Sequence, residues 1–378
     1  MLVFSATLVA FGIAYAYVLV RFTGGFRRLI IHWLPHRHEP YPSVSVIVPA
    51  RNEAEGIADC IQSILRNDYP RELVDVQIVD DRSEDDTFEI ASRLSLGPDD
   101  IRVVRLQETG SSPSGKRAAI QAGIDRSKGD IIMLTDADCR VPTDWIHTMV
   151  SAFNEGTRFV SGPVAYRTDK GWLQRLLELE LLGLVAVGAG AIALGKPNMC
   201  NGANIAFRRS AFNEADGYSG TDSLTSGDDE LLMQKMSRQH PGSVAFCPDR
   251  EATVTTRAPN GLPELLRQRR RWASKGLHYP EKRITVLALF VFSFNVLLLA
   301  GFVGAFWFVS IWPALLAAFF LKLSAEGWMF WHVCSQFGRR ELIPLMVPGQ
   351  LFVIPFVVVA GATGAAGGYS WKGREIQR

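Results

Sequence analysis

Two hydrophobic periods alternate along residues 43–164. Val44-Ser45-Val46-Ile47-Val48 is a β-branched run stopped by Pro49, which predicts a strand. Across residues 53–65, Ile57, Cys60, Ile61, Ile64 and Leu65 recur at helical spacing. A second strand is predicted over 74–79, ending on Asp80-Asp81, and a helix over 84–94 with Ser83 as its N-cap. Residues 101–106 predict a strand, 116–126 a helix, and 131–134 a strand that ends on Asp136-Ala137-Asp138. Repeated βα units of this kind build a doubly wound, mostly parallel sheet, which binds ligands off the carboxyl ends of its strands. Both acidic pairs fall at such ends.

Other stretches are apolar without alternation. Residues 2–20 carry no charge over 19 positions, the length of one membrane crossing, and Arg21, Arg27 and Arg28 follow. With no basic start, residues 1–22 read as a retained anchor rather than a signal peptide, and the basic flank places the next domain in the cytosol. Residues 284–321 are 38 positions without charge, enough for two spans reversing near Gly301, Gly304, Trp307, Trp312 and Pro313. Residues 342–371 form a further uncharged run broken by Pro344, Pro348 and Pro355, either one kinked span or a re-entrant pair. This divides the chain into an anchor (1–22), a soluble domain (43–280) and a C-terminal membrane region (284–371) of about three helices. Within the domain, 172–195 reads equally as a core helix or one lying at the membrane surface, since its uncharged part, 181–195, is too short to cross.

Composition narrows the partners. A net charge of +2 gives no electrostatic footprint for nucleic acid. Five scattered cysteines, with no CxxC or zinc spacing, fit a reducing compartment rather than a disulfide framework. His32, His36 and His38 sit beside arginine and proline just past the anchor and read as a polar juxtamembrane face. No GxGxxG follows the first strand, which removes the main support for a dinucleotide site.

The candidate chemistry lies at five places along the chain. Asp136 and Asp138, on alternate residues of a turning chain, suit one Mg²⁺ or Mn²⁺ held against a diphosphate, although a solvated strand-end turn has the same pattern. Asp81 reads as a turn former before Ser83; its functional role would be to accept a hydrogen bond from a nucleotide base. Lys116, after the Ser/Gly/Pro-rich loop 110–115, offers a cation to phosphates or base, or is a solvated helix start. Asp228 and Asp229 open a helical pattern, where acids favour the macrodipole; the functional reading would make Asp229 a general base for an acceptor hydroxyl. In Gln268-Arg269-Arg270-Arg271-Trp272, Arg271 suits a departing diphosphate and Trp272 an acceptor sugar or lipid head, against the alternative of a membrane-surface basic cluster.

In this order the motifs resemble those of the family 2 glycosyltransferases with a GT-A catalytic domain, the group that includes cellulose, chitin and hyaluronan synthases and ceramide glucosyltransferase. The resemblance rests on Val48-Pro49-Ala50-Arg51-Asn52-Glu53, Val79 to Asp85, Gly115-Lys116, Asp136-Ala137-Asp138, Asn201-Gly202-Ala203-Asn204, Gly227-Asp228-Asp229, Gln268 to Trp272 and the tail Trp371-Lys372-Gly373-Arg374. It implies inversion at the anomeric carbon, a nucleotide-diphosphate sugar (a UDP-sugar favoured) and a divalent metal, Mg²⁺ or Mn²⁺. It further implies that Pro49, Ala50, Arg51, Glu53, Asp81, Lys116 and Asp136 contact the donor and that Asp138, with Asp136, holds the metal. Asp229 would then be the base, and Gln268, Arg271 and Trp272 would complete the catalytic set. Gly227-Asp228 stands where many members have Thr-Glu, but the last aspartate is kept. The expected protein is an integral membrane enzyme of the cell membrane, cytosolic in its catalytic part, acting on a lipid or lipid-like acceptor. A processive polysaccharide synthase and an inactive membrane scaffold are the alternatives.

Overall fold

The first strand, β1 (Val44–Ala50), is buried along nearly its whole length, as a β-branched run in the middle of a covered sheet must be. It lies between β2 (Val74–Asp80) and β4 (Ile131–Leu134), parallel to both, with β3 (Ile101–Arg105) on the far side of β2. A computed structural model describes residues 1–95, 101–106, 115–167, 171–219, 227–275, 279–365, 369–371 and 374–376. Most of the loop before Lys116, and Lys372-Gly373 of the tail, lie outside the described residues.

The full sheet has seven strands in the order β3-β2-β1-β4-β7-β5-β8, completed by β5 (Phe159–Ser161), β7 (Ile205–Arg208) and β8 (Val244–Phe246). Only β7 runs against its neighbours β4 and β5, so the expected doubly wound, mostly parallel sheet is borne out. A small second sheet pairs β6 (Val164–Arg167) with β9 (Val254–Arg257). Connecting helices are α2 (Ile57–Leu65), α3 (Thr87–Leu94), α4 (Lys116–Arg126), α5 (Trp145–Val150), α7 (Arg209–Glu214) and α8 (Asp228–Gln239). Two begin later than their periodicity predicts. Helix α2 starts past Gly56, whose missing side chain lets the turn press on Asp138: a Cβ there would lie 3.1 Å from Asp138 Cα. Helix α3 has Asp86, not Ser83, at its N-cap, because Ser83 Oγ instead accepts the backbone N–H of Asn52 at 3.0 Å.

The chain divides into two compact units. Residues Leu29–Arg167 and Gly195–Arg257 form the sheet unit; Met1–Arg28, Thr168–Leu194 and Ala258–Arg378 form a helical unit. The helical unit contains α1 (Leu2–Ile31, as far as Arg28), α6 (Trp172–Ala193), α9 (Leu262–Lys275), α10 (Lys282–Gly304), α11 (Trp312–Gln336) and α12 (Met346–Ala365). Among the described residues, five helical segments are long and apolar enough to cross a membrane: α1, α6, α10, α11 with its lead-in, and residues 340–364 around α12. Leu8, Phe294, Leu298, Leu315 and Ile354 pack into one buried cluster between α1, α10, α11 and α12. The expected reversal is present, with α10 ending at Gly304 and Pro313 in the first turn of α11.

Helix α11 runs well past Leu321, where the uncharged run ends. The reason is mutual neutralisation. Buried Lys322 forms an ion pair with Glu326 and donates to Gln350 Oε1 at 2.7 Å, and Tyr15 donates to Glu326 Oε1 at 2.7 Å. Of the two arrangements left open for the last run, the described part is one continuous helix with Pro355 inside it. Helix α6 is long enough to cross, yet its chain leaves from β6 and returns to β7 in the sheet unit. Most of α6 is buried. Its acids are paired within the helical unit, Glu178 with Arg339 and Glu180 with Arg269, the latter at 2.9 Å.

Candidate active site

Strands β2 and β4 flank β1, and each delivers carboxylates past its C-terminal end. In the register of the sheet Ala50 lies beside Asp80, and Ile47 beside Leu134. Asp81 is 1% exposed, and its Oδ2 accepts the backbone N–H of Gly115 at 2.9 Å. Its main-chain carbonyl accepts from Arg51 Nη1 at 2.7 Å, and Arg51 also reaches the Arg82 carbonyl and Glu84. Arg82, at φ 58°, is a non-glycine residue in the left-handed region; its carbonyl is clamped by Arg51. Such a conformation persists only where surrounding contacts over-determine it. The Arg51 side chain therefore shapes the turn that presents Asp81. Glu53 enters the same turn through its backbone N–H, which donates to Thr87 Oγ1 at 2.7 Å.

Asp138 is held from three sides. Its Oδ2 accepts from Thr256 Oγ1 on β9 at 3.0 Å, its carbonyl accepts from Arg167 Nη2 at 3.0 Å, and the glycine turn at Gly56 backs its Cα. The thiols of Cys60 and Cys139 lie beneath, and burial first, then the Asp138 and Asp136 charges, pushes both well above the ordinary thiol range. They are neutral packing. Asp136 is about one-third exposed and forms an ion pair with Lys116, the first residue of α4. Among the described residues no group of three or more His, Cys, Asp or Glu could enclose a metal ion. A divalent cation at this edge needs phosphate or water oxygens to complete its shell.

The acceptor-side candidates open α8. Gly227, at φ 92°, caps the helix in a conformation that favours glycine, and Asp228 and Asp229 follow in the first turn. The Asp229 carboxylate lies on Gly202: a Cβ at Gly202 would sit 2.9 Å from Asp229 Oδ2. Asp228 faces inward and accepts from Arg117 Nε at 2.9 Å and Nη2 at 2.7 Å. Burial holds its carboxyl above the usual range, and Arg117 works against that rise. Asn204, also in the Asn201 to Asn204 segment, is structural: its amide donates to the carbonyls of Pro163 and Ala252 and accepts from Trp145 Nε1.

Gln268, Arg271 and Trp272 lie half-buried on α9, in the helical unit. Arg269, the second residue of that motif, is committed locally, bonded to Glu180 and lying 4.1 Å from the Trp272 ring centroid. The sheet unit thus brings together Asp81, Lys116, Asp136, Asp138 and Asp229. Residues singled out by the structure and not by the sequence are Arg117, Thr256 and Arg167. Arg117 had a signal in its position next to Lys116. Thr256 and Arg167 had none, because each reaches Asp138 from a strand distant in sequence.

The description "Glycosyl transferase family 2" matches residues 45–215, and "Glycosyl transferase family group 2" matches residues 131–338. An N-acetylglucosaminyltransferase of Mesorhizobium japonicum is 30% identical over 327 residues, covering 82% of this chain and 72% of that protein. A beta-monoglucosyldiacylglycerol synthase of Synechocystis is 36% identical over 118 residues, 31% of this chain and 24% of that protein. The chain spans less than two thirds of the length of most of the curated relatives it matches. Among solved structures, a mannosyltransferase from Pyrobaculum calidifontis, in complex with GDP-Man and Mn²⁺, superposes with a TM-score of 0.59 at 18% identity. That superposition covers 96% of this chain and 99% of the other.

Proposed function

The chain belongs to glycosyl transferase family 2, and we propose that it is an inverting membrane glycosyltransferase carrying a sugar from a nucleotide diphosphate to a lipid or lipid-like acceptor at the cytosolic face. The observation that carries the proposal is the pairing of two acidic sites by adjacent cations, Lys116 on Asp136 and Arg117 on Asp228. One site suits a donor diphosphate and the other an acceptor alcohol. Asp81, buried at the end of β2, accepts a hydrogen bond from the nucleotide base. Asp136 and Asp138 fit Mg²⁺ or Mn²⁺, because two hard carboxylates leave coordination positions for diphosphate oxygens. Such an ion, when bound, supplies positive charge to the leaving diphosphate. Asp229 takes the proton of the acceptor hydroxyl as its oxygen bonds to the anomeric carbon. The bond from that carbon to the diphosphate oxygen breaks in the same displacement, so the configuration inverts and a nucleoside diphosphate leaves. Arg271 is proposed to neutralise that leaving group and Trp272 to stack on the acceptor, with Gln268 beside them.

The lipid acceptor is favoured over a growing polymer by the helical unit. Its interior between α1, α10, α11 and α12 is filled by Leu8, Phe294, Leu298, Leu315 and Ile354. The Synechocystis relative, named for a glucosyl lipid, points the same way. Membranes containing the full chain, given radiolabelled UDP-glucose, UDP-N-acetylglucosamine or GDP-mannose with a total lipid extract, are expected to form an organic-soluble product bearing a single added sugar. A long polymer, or no product from any of the three donors, overturns the proposal.

Orientation follows from basic flanks. Arg21, Arg27 and Arg28 follow the apolar part of α1, Lys282 and Arg283 begin α10, and Arg339-Arg340 follow α11. The positive-inside rule puts all three on the cytosolic side, which two crossings by α10 and α11 permit. A cysteine at Asn260 is therefore expected to react with an impermeant maleimide only after permeabilisation, and labelling in intact cells would reverse the orientation.

A further inference from the structure

Helix α4 begins with two cations that point to two different acids. Lys116 pairs with Asp136 at the end of β4, and Arg117 pairs with Asp228 at the start of α8. The helix start is itself tied down, since the N–H of Gly115, at φ 97°, donates to Asp81. Arg117 presents Nε and Nη2 to the same oxygen, Asp228 Oδ1, at 2.9 and 2.7 Å. Its guanidinium lies 5.8 Å from the Tyr218 ring centroid. Asp228 is 8% exposed, and among the described residues the charged or titratable groups facing it are Arg117 and Lys116 from α4, Asp229 on its own helix, and Tyr218 after α7.

A charge this buried is stable only with its partner, and removal of one member leaves the other costly to keep ionised. Asp229 is the next residue, and its carboxylate rests on the bare backbone of Gly202. Any shift of the first turn of α8 therefore moves Asp229 relative to the acceptor hydroxyl. Misplacement of a reacting group by about 1 Å is enough to slow a reaction by roughly 10²-fold.

We propose that Arg117 is a positioning residue for sugar transfer: by holding Asp228 as its charged partner it fixes the first turn of α8 and so aims Asp229. This rests on the assignment of Asp229 as the base. The Asp228 side chain is taken up by Arg117, so the pair acts through its neighbour.

The test uses the full chain in nanodiscs, with whichever of the three donors above the wild type uses, and three variants: Arg117→Lys, Arg117→Gln and the double variant Arg117→Gln/Asp228→Asn. Arg117→Gln is expected to lower kcat by about tenfold or more while donor KM stays within about twofold. Arg117→Lys should retain most of kcat. The double variant, which removes the uncompensated carboxylate together with its cation, should recover much of the loss, the signature of two residues acting as one. Infrared spectra at neutral pH supply a readout independent of turnover. A protonated-carboxyl band should appear in Arg117→Gln and be absent from the wild type and the double variant. A rise in donor KM matching the fall in kcat, additive losses in the double variant, or no new band would overturn the proposal. If the wild type transfers no sugar, the functional assignment fails instead, and the infrared arm still decides whether Arg117 keeps Asp228 charged.

Discussion

Asp229→Asn is expected to lower sugar transfer by roughly 10²–10⁴-fold, the usual contribution of a positioned general base, while leaving nucleotide affinity nearly unchanged. Asparagine has almost the same shape as aspartate, so it still fits on the backbone of Gly202 and at the capped start of α8. What it loses is the capacity to accept the acceptor's proton. Because the loss falls on a step after the donor is bound, kcat should drop while the dissociation constant for UDP or GDP, measured by calorimetry, holds. Asp228→Asn should be milder, because Asp228 is engaged with Arg117 and is not the proposed base. A parallel loss of nucleotide affinity in Asp229→Asn would make this residue a donor ligand or a plain helix-start acid.

The acidic ends of β2 and β4 were legible from sequence because each strand closes on a buried apolar stretch, Ile78-Val79 in β2 and Ile131 to Leu134 in β4, with the acids following at once or after one turn residue. Helix α4 was read to its observed limits for the same kind of reason, a charged start and a polar stop. Helix α2 was not, because its start is set by the approach of Gly56 to Asp138, 82 positions further along the chain, which no local period records. Charge misled in the other direction in α11. Lys322 and Glu326 look like the end of an apolar run until their pairing with Gln350 and Tyr15 is visible. Around the candidate site the sequence marked the carboxylates but not what holds them. Arg117 reads as an ordinary helix-start cation, and Thr256 as an ordinary strand residue, until the fold brings them to Asp228 and Asp138.

That support determines what Asp138→Asn should do. The carboxylate accepts from Thr256 Oγ1, the Asp138 carbonyl accepts from Arg167, and Gly56 lies against its Cα. An asparagine carbonyl oxygen can accept the same threonine hydroxyl, so the fold and its thermal unfolding should be little changed. The negative charge is lost, and with it half of the two-carboxylate pair that suits a divalent ion. Charge stabilisation by a bound metal amounts to several kcal/mol, so a fall in transfer on the order of 10²–10³-fold is expected. A second readout separates metal loss from a subtler defect. Mn²⁺ with UDP should raise the unfolding temperature of the wild type, since a ligand that binds only the folded state stabilises it by mass action, and this shift should vanish in the variant. EDTA should reproduce the loss of transfer in the wild type, and excess Mg²⁺ or Mn²⁺ should restore it. Near-normal turnover in EDTA, or an undiminished Mn²⁺-dependent shift in Asp138→Asn, would remove the metal from Asp136 and Asp138 and leave Lys116 as the cation nearest Asp136.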